Sequence, residues 1–171
     1  MEAKLKLIDK VDKLKKIILL LITLALGAGL FAQEGLFNLS YGMSLEEADT
    51  ILGAAGFQAE GSQKDAVKYY SDINEFVAAI LVFLEPNTQR VAGWFIKYNP
   101  TNGEDNDHLV IDRISNMHGE TNHFEEETQQ LIWFLTNTRT LHVMYAQDGS
   151  LTALYYDSYF ANLFEMNKQD L

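Results

Sequence analysis

"TLHVMYAQDGSLTALYYDS", residues 140–158, decides how this chain folds. Two runs rich in β-branched and aromatic residues flank Gln147-Asp148-Gly149-Ser150, and Asp-Gly between such runs is a strong short-range hairpin signal. A two-residue turn at Asp148-Gly149 pairs Ala146 with Leu151, Met144 with Ala153 and His142 with Tyr155. Side chains alternate between faces along a strand, so Leu141, Val143 and Tyr145 then share one face with Thr152, Leu154 and Tyr156. That face is the more apolar, and it is expected to pack under helices. A two-residue turn at Asn137-Thr138 brings "QLIWFLT" (130–136) alongside and sets Trp133 opposite His142. The face away from the helices then shows Trp133, His142, Met144 and Tyr155, joined by Phe95 from an earlier hairpin. An open sheet face with Trp, Tyr and Met has the composition of a partner-binding surface, and these five residues are the expected site. The competing expectation is that the C-terminal tail, the other half of the chain or the polar loop before residue 130 covers this face as a second core. A register slip of one residue exchanges the two faces.

Working back along the chain, the same pattern recurs. "AVKYYS" (66–71), "FVAAILVFLE" (76–85) and "RVAGWFIKY" (90–98) read as strands, the last two closed into a hairpin by "PNTQ". Before them, "YGMSLEEADTILGAAGF" (41–57) reads as a capped helix. Ser44 and Glu47 form a capping box, Leu45, Ala48, Ile51, Leu52 and Ala55 form one stripe, and Gly53 and Gly56 are candidate stops. A second helix is expected from an Asp107 N-cap, through Val110, Ile114 and Met117, to Gly119. The tail, with Phe160, Leu163 and Phe164, is expected to form a short terminal helix. Every visible strand-to-strand link is too short for a parallel crossover, so the sheet is antiparallel and the class is α+β.

The two halves, about 41–98 and 107–158, superpose as helix plus strands. Ser44 and Asp107 start their helices 63 residues apart, and "VFLEPNTQRVAGWFIKY" runs beside "VMYAQDGSLTALYYD". The near-constant offset implies two tandem repeats of one helix and three or four strands. On "YGMSLEEADTILGAAGF", "NMHGET", "IWFL" and "LHVMYAQDG", the chain resembles a bacterial exported module shared by the β-lactamase inhibitor proteins and the small outer-membrane assembly lipoproteins. The resemblance implies a helix-plus-sheet unit that grips another protein, without catalysis. Unlike members of both families, this chain has no cysteine.

Residues 1–16 carry six lysines, and "IILLLITLALGAGLFA" (17–32) carries no charge. A basic region followed by an apolar run and a small residue is the pattern of a secretory signal, with the cut expected after Ala32. The alternative is an uncleaved membrane anchor. The expected location is therefore the periplasm or the extracellular space, with residues 33–171 as one exported domain. Without cysteine, that domain folds without disulfides.

Residues 33–171 hold 7 basic and 21 acidic side chains, a formal net charge of −14. Such a surface repels phosphate backbones and anionic lipid, so nucleic acid and membrane are not expected partners, and another protein of the cell envelope is. No Gly-rich phosphate loop, His-Glu-x-x-His or Gly-x-Ser-x-Gly occurs. His118 and His123 beside Glu120, Glu125, Glu126 and Glu127 offer imidazole and carboxylate, but not at fixed-ligand spacing. "NGEDND" (102–107) lacks the calcium-loop order. The reading is a binding protein with no catalytic residue, metal or cofactor. Its alternatives are a small-ligand or cation carrier and, behind that, a small hydrolase.

Overall fold

A computed structural model describes residues 34–63, 65–120 and 123–165. The expected leader, residues 1–32, lies outside the described residues. The elements run α1 (Leu45–Ala54), β1 (Gln58–Gln63), β2 (Ala66–Tyr70), β3 (Val77–Leu84), β4 (Val91–Tyr98), α2 (Glu104–His118), β5 (His123–Glu125), β6 (Gln130–Phe134), β7 (Arg139–Tyr145), β8 (Leu151–Asp157) and α3 (Ala161–Glu165). The eight strands form one antiparallel sheet in the order β1-β2-β3-β4-β8-β7-β6-β5. The chain is therefore α+β, as the sequence implies. Each long helix is followed by a four-strand meander, and the two meanders join where β4 pairs with β8.

α1 starts as its sequence dictates. Ser44 Oγ accepts from Glu47 N–H, and the Glu47 carboxylate accepts from Ser44 N–H at 2.7 Å. Glu47 is exposed, and these hydrogen bonds to Ser44 hold its carboxyl below the usual range. The helix stops at Gly56, where φ is +86° and Phe57 N–H reaches back to the Leu52 carbonyl. Gly53 lies inside the helix. α2 begins four residues earlier than expected, after Gly103, so Asp107 sits in the first turn and is not the cap. Its carboxylate accepts instead from the Tyr145 hydroxyl at 3.0 Å. Two strands were not legible. β1, "QAEGSQ", has almost no apolar pattern, and β5 lies within the polar stretch before residue 130. Both are sheet edges, and β1 is bulged at Ala59/Gly61, a device that blunts an edge.

The decisive difference is the register of the β7–β8 hairpin. Tyr145 pairs with Leu151, Val143 with Ala153 and Leu141 with Tyr155. The turn is not a two-residue one. Ala146 N–H donates to the Ser150 carbonyl, Gly149 N–H donates to the Ala146 carbonyl, and Gly149 has φ +82°. A left-handed glycine closing a three-residue loop is the G1-bulge hairpin, and its extra residue slips the register by one. β8 exchanges its faces as a result, while β7 keeps the expected ones. Leu141, Val143, Leu151, Ala153 and Tyr155 all point to the helix side, and Thr140, His142, Met144, Thr152, Leu154 and Tyr156 lie on the other.

The core has two layers accordingly. The main cluster joins Ala48, Leu52 and Ile114 from the helices to Ile80, Val82, Trp94, Ile96, Trp133, Leu141 and Tyr155 from the sheet. The second cluster lies across the sheet, where Leu163 and Phe164 of the C-terminal segment cover Ala66, Phe83, Ala92 and Phe95. This explains why β3 and β4 read as nearly unbroken apolar runs: both of their faces are covered. Gly93 permits the approach, since a Cβ there would lie 2.6 Å from the Phe164 ring. The expected short terminal helix forms at Ala161–Glu165, and it builds part of the second core.

Candidate functional site

Among the described residues, β7 alternates between buried and half-buried positions, because the terminal segment up to Glu165 does not lie over it. The uncovered part of the face is a cleft of about 910 Å³, within the range of small-molecule and side-chain pockets. Its floor is two cross-strand rows. Phe95, Leu154 and His142 lie opposite one another across β4, β8 and β7. Beside them run Lys97, Thr152 and Met144. Ala161 and Phe164 close one end, and Ala146, Gln147 and Asp148 of the β7–β8 turn close the other.

The five expected site residues are thus divided. His142, Met144 and Phe95 line the cleft, His142 and Met144 half-buried and Phe95 buried in its floor. Trp133 and Tyr155 do not belong to it. They are 1% and 0% exposed, on the helix side. Trp133 pairs with Leu141 rather than His142, and its Nε1–H donates to the Gly119 carbonyl at 2.8 Å. Tyr155 stacks on Trp94. The slip at the β7–β8 turn accounts for Tyr155, and a second one accounts for Trp133: Leu135 N–H donates to the Arg139 carbonyl, so the β6–β7 loop also holds three residues instead of two.

The polar groups of the cleft are mostly engaged. His142 Nδ1 lies 3.0 Å from Gln130 Oε1, and Nε2 lies 2.9 Å from Thr140 Oγ1. With the proton on Nδ1, the ring donates to the amide oxygen and accepts from the hydroxyl, a fully satisfied neutral imidazole. Its edge meets the Tyr156 ring with centroids 6.1 Å apart. Burial pulls its pKa below the ordinary value, and the Glu125 carboxylate opposes that pull. Lys97 Nζ bonds Asp148 Oδ2 at 2.8 Å, tying β4 to the β7–β8 turn over the intervening strand. That ammonium, with hydrogen bonds from Ser150, holds the exposed Asp148 carboxyl well below the usual carboxylate range. The Thr152 hydroxyl donates to the Met144 carbonyl.

Leu154, Tyr156, Thr152 and Lys97 were missed as site residues. A two-residue β7–β8 turn would put the first three on the packed face, and Lys97 is one polar residue in an apolar strand. His118 and His123 do not converge: the first bonds Tyr155 from the helix side, and the second is exposed on β5. Among the described residues, no group of three or more His, Asp or Glu side chains is placed to hold a metal ion. No described helix is long and apolar enough to cross a membrane.

No family model, curated protein or solved structure matches the chain.

Proposed function

We propose that residues 33–171 are an exported binding protein of the cell envelope, which grips a protein partner in the cleft on the sheet face away from the helices. The observation that carries this reading is the cleft itself. An apolar floor of Phe95, Leu154 and Met144 is flanked by fixed polar groups at His142 and the Lys97–Asp148 pair. That combination suits anchoring an apolar side chain while polar groups orient it. The non-enzymatic part of the proposal rests on the sequence, which holds no Gly-x-Ser-x-Gly, His-Glu-x-x-His or Gly-rich phosphate loop. The net charge of −14 favours a basic partner surface. Export rests on the pattern of residues 1–32.

The same reading takes the two helix-plus-four-strand halves as tandem copies of one unit, akin to the inhibitor and assembly modules. Its support is the repeated order of elements and the joining of the copies through their fourth strands.

The test is photo-crosslinking in envelope extract. A crosslinker at Met144 should capture one dominant protein, Leu154→Asp in the same chain should abolish capture without unfolding it, and a crosslinker at the exposed Glu46 should capture nothing specific. Equal capture from Met144 and Glu46, or none from either, would sink the proposal.

A further inference from the structure

The Tyr155 hydroxyl joins three parts of the chain inside the helix-side core. Leu36 N–H donates to it at 3.0 Å, and His118 Nε2 lies 3.0 Å away at the end of α2. A phenol carries one proton and a backbone N–H can only donate. With Leu36 N–H donating to its oxygen, the Tyr155 hydroxyl has an acceptor for its own proton at His118 only when Nε2 is unprotonated. The segment held by Leu36 is short and deeply seated. Glu34 bridges to Ser40, Gly35 N–H donates to the Leu39 carbonyl, and Leu36, Leu39 and Tyr41 are buried. Gly35 lies against the stacked rings, where a Cβ would come within 2.5 Å of both Trp94 and Tyr155.

We infer that His118 is an acid-sensitive latch: its neutral imidazole orients the Tyr155 hydroxyl that pins residues 34–41 to the sheet, and its protonation releases that segment. Protonated Nε2 becomes a donor. The hydroxyl oxygen then faces two donors, and its own proton is left without an acceptor in the core, at the cost of an unsatisfied buried group. Besides His118, the ionisable neighbours of Tyr155 are Arg113 on α2, Tyr98 on β4 and Tyr41 before α1. None is anionic between about pH 5 and 8, so none rescues the imidazolium. Burial is what pulls the His118 pKa down. His142 differs, because Gln130 Oε1 and Thr140 Oγ1 can both accept from a protonated ring and Glu125 favours its charge.

The experiment is hydrogen exchange of the Leu36 amide in the full-length chain from pH 8 to 5, corrected for intrinsic exchange. Protection should fall roughly tenfold as His118 titrates, the shift expected for orphaning one buried hydroxyl. His118→Gln, which keeps an acceptor that never protonates, should show no such fall, while His142→Gln should behave as the parent. A pH-independent parent, or a His118→Gln chain that follows the parent profile, overturns the latch. Nitrogen NMR of the parent chain gives a second measurement independent of variant folding: a proton on Nε2 of neutral His118 at pH 8 overturns it as well.

Discussion

The rings of Trp94 and Tyr155 lie stacked with centroids 4.2 Å apart and planes inclined by 17°, on residues paired directly across β4 and β8. This pair fastens the two meanders together. Both residues are fully buried, and Tyr41 packs on Trp94 at 5.0 Å. Tyr155→Ala is expected to destabilise the chain by about 3–5 kcal/mol, the range for losing a large buried aromatic. Gly35→Ala is expected to destabilise as well, although it deletes nothing, because its methyl would enter the stack. Urea midpoints compare the two. A neutral Gly35→Ala would mean that the N-terminal segment does not seat on these rings.

Gly149 sets the hairpin register, so its replacement probes the turn directly. At φ +82° a side chain is strained, but no neighbouring atom lies within 4 Å of a Cβ there. Gly149→Ala should therefore cost about 1 kcal/mol from backbone strain alone, and Gly149→Asn less, since Asn tolerates the left-handed region. Equal losses for both would point to a steric cause.

Cleft and core substitutions should separate. Met144→Ala and Leu154→Asp alter half-buried residues on the open face and are expected to weaken partner binding more than folding. Trp133→Ala removes a buried side chain and the hydrogen bond to Gly119, and is expected to cost about 3–5 kcal/mol. Thermal melts beside the crosslinking assay read both effects. Intact folding in Trp133→Ala would contradict its place in the core.

The pH dependence has a definite sign. The folded-state pKa values of His118 and His142 are both lowered, chiefly by burial. The stability that each neutral ring contributes is present above the unfolded value near 6.5 and is lost as pH falls through the window beneath it. Stability measured by urea should thus decline below about pH 6.5, before carboxylates titrate. Replacing both histidines with Gln should flatten that limb. An unchanged slope would show that neither ring is held neutral.

The first helix offers the simplest test. Ser44→Ala deletes one half of the capping box and should cost about 1 kcal/mol. No loss in the urea midpoint would mean that the cap is replaced by water.

The class, the six stronger strands and the order of helices and strands were legible because each rests on local chemistry. Ser44 and Glu47 cap a helix wherever the chain goes, and "VAAILVFL" and "VAGWFIKY" are apolar enough to be central strands. The edge strands were not legible, since β1 and β5 take their conformation from a neighbour rather than from their own residues. The site was half legible. His142 and Met144 were placed on the open face, correctly grouped with each other but wrongly grouped with Trp133 and Tyr155. One extra residue in each of two turns separates the two outcomes, and Asp148-Gly149 is compatible with either loop length. Composition and pattern thus determined an antiparallel α+β chain with a hairpin at residues 146–150. Only the tertiary structure decided which face of β8 joins Leu141 and Val143 under the helices. Burying Leu141, Val143 and Tyr155 together against Trp94 selects one register, and that choice is made by long-range packing that no local pattern records.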